Sequence, residues 1–309
     1  MNQLPGIFSE VLKETITKLA LGGLPFGWSL DAKKSYRLLD AYYEAGGNLI
    51  DTADNYSNWV EGHTGGESER IIGDWLQDRG LKGKILVATK VGYETQVGSG
   101  LSKKQIYASI DESLARFTVD CIDIYQLHCA DPHVPIEETT EALLHLHQAG
   151  KIRAIGFCNM PADILRCYIQ TAREAGLSAV ASFQGKLNYL ERDRVSEDLY
   201  EIIRKHELIF LVYGVLARGF LTGKYQRRFD SGVSARSHSV YRKYYNETCL
   251  SQLDTFLSEA YATGRTPVQA AYEWVEHELS CHRIHSVFIG GFTSDWQLKA
   301  AVEILSRSA

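Results

Sequence analysis

The chain lacks most features that would place it outside the ordinary globular enzymes. Six prolines and 26 glycines among 309 residues exclude collagen-like or proline-rich disordered character. There is no excess of positive charge. Thirty-three Lys and Arg stand against 38 Asp and Glu, a net charge of −5, so nothing draws the chain to phosphate backbones or anionic lipid. That argues against nucleic acid and membrane surfaces as partners. No long apolar run occurs: the stretch 209–213 is interrupted by Gly214, Arg218 and Gly219, well short of the ~18 residues of a membrane span. The start, Met1-Asn2-Gln3-Leu4-Pro5-Gly6, has neither the positive charge nor the apolar core of a signal peptide. The six cysteines (Cys121, Cys129, Cys158, Cys167, Cys249 and Cys281) form no C-x-x-C pair. They read as reduced thiols, and the expected location is the cytoplasm.

What is present is an alternation. Short apolar, β-branched runs at 17–21, 48–52, 85–90, 122–128, 154–158, 179–184, 208–213 and 286–290 are separated by helix-length amphipathic stretches. Continuous runs such as Ile85-Leu86-Val87-Ala88 fit strands covered on both faces, as in a parallel sheet. In the stretch 102–117, Ile106, Ile110, Leu114 and Phe117 recur at helical spacing behind Ser102, an N-cap residue. The stretch 136–148 behaves likewise and stops at Gly150. Eight strand–helix units make either a closed barrel or an open doubly wound sheet. The first run is not followed by G-x-G-x-x-G, the glycine fingerprint of dinucleotide-binding open sheets. The expected fold is therefore an α/β class (β/α)₈ TIM barrel, parallel and eight-stranded, forming one domain over 1–309. One connection is long: 77 residues separate Tyr213 from Gly290, with the excess in 217–246, and a loop of that length after a barrel strand is usually functional.

Active sites of such barrels collect at the C-terminal strand ends. Polar residues end six consecutive runs: Asp51, Lys90, His128, Asn159, Gln184 and Tyr213. Each is costly to bury alone, so the set should pair internally or meet a ligand. Asp51 and Lys90 can form an ion pair, and a cation beside a phenol is expected to lower the phenol's pKa. Tyr56, five residues past Asp51, is the phenol on offer. It could act as general acid to a carbonyl oxygen, with His128 orienting the substrate or sharing the proton. Phe26, Trp28, Trp59 and Tyr93 follow the first three runs and are expected to line an apolar substrate mouth.

These segments resemble the aldo-keto reductase superfamily. The resemblance rests on Asn48-Leu-Ile-Asp51-Thr-Ala-Asp-Asn-Tyr56, on Gly65-Gly-Glu67-Ser68-Glu69 and on Ala88-Thr-Lys90-Val-Gly. It continues through Asp123-Ile-Tyr125-Gln-Leu-His128, Gly150-Lys-Ile-Arg-Ala-Ile-Gly156 and Gly219-Phe-Leu-Thr-Gly-Lys-Tyr225, and spans about residues 17 to 300. It implies an NAD(P)H-dependent reduction of an aldehyde or ketone by a tetrad of Asp51, Tyr56, Lys90 and His128, with Tyr56 as proton donor. It further implies that Asn159 and Gln184 bond the nicotinamide carboxamide and that Tyr213 stacks on its ring. Leu216, Arg218 and Gly219 would lie on the loop over the pyrophosphate, while Gly291 and Gln297 would lie at the adenosine end. NADPH is the expected cofactor, with NADH possible, and a small carbonyl compound the expected partner.

Three departures from the family pattern stand out. Cys158 occupies the usual Ser position, and Gly214-Val215 replaces the usual Ser-Pro. In Gly290-Gly-Phe-Thr-Ser-Asp-Trp-Gln-Leu298, Gln297 takes the place of the usual Arg, and Ala300 and Ala301 that of Glu and Asn. With no cation there before Lys299, binding at the adenosine end would be loose, shifted to residues such as Arg218 or Arg236, or tolerant of NADH. Two rival readings remain. One is a non-catalytic nucleotide-binding regulatory subunit of the same fold. The other is a metal-assisted barrel hydrolase, which would need a histidine pair after the first run; 21–31 contains none, so no metal site is expected. Oligomeric state is not readable.

Overall fold

The computed structural model describes residues 4–225 and 230–307. The first three and last two residues of the expected domain, and 226–229 of the long connection, lie outside the described residues.

Eight strands close into a parallel barrel: β3 (Leu19–Gly22), β4 (Leu49–Asp51), β5 (Leu86–Val91), β6 (Ile122–Leu127), β7 (Ile152–Cys158), β8 (Val180–Lys186), β9 (Ile209–Tyr213) and β10 (Ser286–Gly290). They pair in chain order, and β10 closes back on β3. All eight expected runs are barrel strands. The first is corrected in one respect, because Thr17 belongs to an earlier element. Ahead of the barrel lies an antiparallel hairpin of β1 (Gly6–Ser9) and β2 (Glu14–Thr17) that the sequence reading did not separate. Leu12 and Ile16 of this hairpin pack with Ala20, Leu49, Leu86 and Ile209 inside the barrel, so it plugs the N-terminal end. Arg153 ties it down, donating to the Leu12 carbonyl and pairing with Glu14.

Helices α1 (Ala32–Glu44), α2 (Glu67–Asp78), α3 (Lys103–Phe117), α4 (Ile136–Gln148), α5 (Ala162–Glu174) and α6 (Glu197–Lys205) cover the outside, followed by α7 (Ser237–Tyr244), α8 (Glu247–Ala262), α9 (Pro267–Cys281) and α10 (Asp295–Arg307). Their starts follow local chemistry. Asp31, Ser102, Ser196, Asn246 and Thr266 each accept a backbone N–H from the first turn of the helix they precede.

The period-2 alternation of strands decides where the site sits. Leu49, Ala88, Ile124, Ala154 and Leu211 point inward and form a dry apolar layer. Their neighbours Ile50, Val87, Tyr125, Ile155 and Phe210 point outward to the helices. Two residues further along each strand, the same inward face presents Asp51, Lys90, Gln126, Gly156 and Tyr213. The barrel thus has an apolar floor under a polar upper layer, at the end where such folds carry their chemistry.

Candidate active site

Lys90 is the centre of that layer and is completely buried. Its ammonium has three protons to give. Nζ lies 2.8 Å from Asp51 Oδ2, 2.6 Å from the Thr52 carbonyl and 3.2 Å from the Tyr56 hydroxyl. The second Asp51 oxygen accepts from the Gln184 amide at 2.7 Å and the Gln126 amide at 3.1 Å. An ion pair removed from water is stable only when its remaining valences are filled, and here they are. Burial is the largest influence on the Lys90 pKa and would lower it, but Asp51, Tyr56 and Cys158 together outweigh it and hold the ammonium above its ordinary value.

Tyr56 sits on the loop after β4. Ser57 beside it takes a left-handed conformation (φ 74°) and donates to the Phe26 carbonyl at 2.9 Å, fixing the loop against the turn after β3. The expected fall in the Tyr56 pKa is corrected: burial pushes the phenol up to about 12, and Lys90 opposes this only in part. The group is therefore a proton carrier at neutral pH. His128 ends the β6 run with its ring 6.1 Å from that of Tyr56 and 4.5 Å from that of Tyr93. Burial, then the Lys90 charge, pull its pKa well below the usual range, so it is a neutral imidazole, and its buried Nδ1 has no partner.

These groups open into a cavity of about 650 Å³. Asn159, Gln184, Tyr213, Arg218 and Gly291 reach its wall, as do Trp28, Trp59 and Tyr93. Asn159 adopts φ 55°, and its side-chain oxygen accepts the Tyr213 hydroxyl at 2.8 Å. Cys158 is buried beneath them, its thiol donating to Gln184 Oε1 at 3.5 Å; burial pushes it up to about 12, so it is a thiol and no nucleophile. Trp28 and Trp59 meet edge to face at 5.6 Å, and Trp59 and Tyr93 are each more than two-fifths exposed. Large aromatic surface left in water beside the Tyr56 hydroxyl is surface a ligand would cover.

Four expected residues stand off this wall. Phe26 is wholly buried in the core and lines nothing, which corrects its assignment to the substrate mouth. Leu216 packs partly buried against the core, and Gly219 lies within the kinked turn 217–222. Gln297 turns its side-chain oxygen back onto the Thr293 N–H at 2.8 Å, just before α10, instead of facing the cavity.

The long connection after β9 closes the other side. Ala217, Arg218 and Gly219 are left-handed in succession (φ 47°, 60° and 91°), at a cost of roughly 1–2 kcal/mol for each non-glycine residue. Arg218 and Arg236 face the cavity, with the Arg236 guanidinium 5.8 Å from the Trp28 ring. Among the described residues, neither these two nor the neighbouring Lys224 forms an ion pair with an acid. Burial and the Arg218 charge lower the Arg236 pKa, and burial and Arg236 lower that of Lys224. Cations that repel one another in a cleft without a counter-charge make an anion site. Helix α7, which brings Arg242 to the cavity, lies in the connection that the sequence presents only as a long loop. It is tied to the barrel by Glu191, which accepts from Lys243 (2.5 Å) and the Tyr244 hydroxyl (2.7 Å).

The residues also bear on a dinucleotide. The Arg218 and Arg236 cations suit its phosphates, His128, Asn159 and Tyr213 at the ends of β6, β7 and β9 suit a planar amide-bearing ring, and both sets line the same cavity. No group of three or more His, Cys, Asp or Glu positioned for a metal occurs among the described residues, and none of their helices is long and apolar enough to cross a membrane.

A closed barrel with a neutral phenol held on a buried ammonium at its rim defines the class: a (β/α)₈ barrel with a built proton-donor site. Comparison with known proteins then fixes the family. The Aldo/keto reductase family model matches residues 18–307, and the chain belongs to that family. It is 29% identical over 295 residues to aldo-keto reductase YhdN of Bacillus subtilis, covering 92% of this chain and 82% of that protein. It is 29% identical over 219 residues to an aryl-alcohol dehydrogenase of Pestalotiopsis microspora, 66% of this chain and 55% of that one. Among solved structures it resembles a glycerol dehydrogenase from Gluconobacter oxydans, with TM-score 0.77, 29% identity, and coverage of 98% of this chain and 95% of that chain.

Proposed function

We propose that the protein reduces small carbonyl compounds, aromatic aldehydes foremost, to alcohols with NADPH. The observation that carries this reading is the Tyr56 hydroxyl, 3.2 Å from the Lys90 ammonium at the cavity wall. When bound, the reduced nicotinamide supplies a hydride to the carbonyl carbon. Tyr56 gives its proton to the carbonyl oxygen, and the phenolate left behind is stabilised by Lys90, itself held by Asp51. Neutral His128 binds the same oxygen and fixes its approach. Asn159, Gln184 and Tyr213 hold the nicotinamide end.

NADPH is preferred over NADH on charge grounds. Arg218, Lys224 and Arg236 carry three positive charges, more than a diphosphate alone neutralises, and a 2′-phosphate takes up the remainder. They replace the cation missing before Lys299. Trp28, Trp59 and Tyr93 suit a flat apolar substrate, in keeping with the aryl-alcohol dehydrogenase named among the relatives. Six unpaired cysteines suit a reducing, cytoplasmic setting.

The test is label transfer. With NADPH deuterated at nicotinamide C4 and a benzaldehyde as substrate, deuterium is expected on the benzylic carbon of the alcohol by mass spectrometry. Tight NADPH binding with no alcohol formed from any of a broad aldehyde panel would instead indicate a nucleotide-binding regulatory protein.

A further inference from the structure

Gln126 is a buried polar side chain of the upper layer that the mechanism above does not use. Gln126 is completely buried on β6, between inward-facing Ile124 and His128. Packing alone does not ask for an amide there, since a leucine has much the same volume and nothing to desolvate. Both ends of the amide are engaged. Nε2 donates to Asp51 Oδ1 at 3.1 Å, and Oε1 accepts from Gln184 Nε2 at 3.3 Å. Gln184 donates its other proton to the same Asp51 oxygen at 2.7 Å. Asp51, Gln126 and Gln184 therefore close a three-membered ring of hydrogen bonds whose only charged member is the carboxylate that holds Lys90.

The neighbouring strand is cut to fit this ring. A Cβ on Gly156 of β7 would lie 2.8 Å from Gln126 Cγ and 2.6 Å from Ser182 Oγ. The bare backbone at 156 leaves the width that lets the amide lie across the barrel toward β4.

We infer that Gln126 is a positioning residue: with Gln184 it fixes the Asp51 carboxylate against Lys90, and through Lys90 it sets the Tyr56 hydroxyl for proton transfer. This rests on the proposed reductase activity. The ring also assigns the faces of Gln184. Both of its N–H protons are committed inside the protein, so only its carbonyl oxygen is left for a ligand amide. Without Gln126, Gln184 loses an acceptor, Asp51 loses a donor, and both side chains gain freedom to turn away from Lys90.

Two variants test the inference. Gln126→Leu is expected to lower kcat about tenfold while the KM for the aldehyde changes less than about twofold, because the residue does not touch the substrate. Gln126→Glu adds a readout that packing alone would not move. The ionisable groups of the surrounding strand ends and loop are Asp51, Asp54, Tyr56, Lys90, His128, Cys158, Lys186 and Tyr213, and Lys90 is already fully committed. A protonated Glu at 126 can donate to Asp51 as the amide does, whereas an ionised one repels it. The kcat of Gln126→Glu relative to wild type should therefore fall about tenfold from pH 5 to pH 8. A wild-type enzyme that turns over while Gln126→Leu keeps kcat within twofold, or a relative kcat of Gln126→Glu that is flat with pH, overturns the inference and leaves the reductase reading intact. If Gln126→Leu does not fold, the Glu variant decides alone. No Tyr56-dependent turnover in the wild type removes the reductase reading itself.

Discussion

The two sides of the cleft solve opposite electrostatic problems. On the β4–β6 side the groups around Lys90 answer one another: Lys90 is held by Asp51, Asp51 by two amides, and the Tyr56 hydroxyl by Lys90. On the side formed after β9, Arg218 and Lys224 each lie near Arg236, and none of the three forms an ion pair with an acid among the described residues. The first side is complete in the protein alone, as a proton-transfer device must be if it is to need no reorganisation during the reaction. The second is complete only with an anion in place. On the proposed function, the contrast separates proton transfer from phosphate binding by location, so variants on one side should leave the other function nearly untouched.

The largest effect is expected where the wall is broken. Lys90→Met leaves the Asp51 carboxylate buried without its cation and should destabilise the fold by roughly 3–5 kcal/mol in denaturant unfolding. A cost near zero would mean that water enters the layer and that the pair is not truly buried. Next comes the clasp. Arg236→Gln should weaken NADPH binding about tenfold, equivalent to roughly 1.4 kcal/mol, with a smaller change for NADH. Fluorescence titration of both nucleotides measures this, and equal losses would place Arg236 on the diphosphate shared by the two. The smallest effect is expected at the tie between the sides. Burial raises the Glu191 carboxyl, but Lys243, Tyr244 and Asn188 outweigh it and bring it from 4.5 down to about 2. Since the folded value is the lower one, the unfolded chain takes up the proton first on acidification. The stabilisation is thus full above about pH 5 and fades as pH falls toward 2. Glu191→Gln should lower the melting temperature by a few degrees at pH 7, with the gap to wild type closing below pH 4.5. A gap that stays constant down to pH 3 would show that the tie is not ionic.

The two sides were unequally legible in the sequence. The wall could be read because strands impose a period of two and end at definite residues. Asp51, Lys90 and His128 close apolar runs, and Tyr56 follows at a fixed distance on the same loop. Gln126 was missed although it lies only two residues before His128, because an amide inside an apolar run gives no sign of what it will bond across the barrel. The Tyr56 pKa was misjudged for a related reason: a sequence shows which cation is near but not how dry the site is. Phe26 and Gln297 were misplaced because turn residues have no periodicity to fix their direction. Phe26 points into the core, and Gln297 bonds its own backbone. Hairpin β1–β2 and helix α7 are short and carry weak patterns, so tertiary packing rather than propensity defines them.

The central claim, that Tyr56 performs the chemistry while the opposite side holds the cofactor, is tested most directly by measuring aldehyde turnover and NADPH affinity together on Tyr56→Phe. The account predicts a loss of about 10²–10⁴ in kcat with the Kd for NADPH within about twofold of wild type. Turnover retained within tenfold, or a parallel collapse of nucleotide binding, would contradict it.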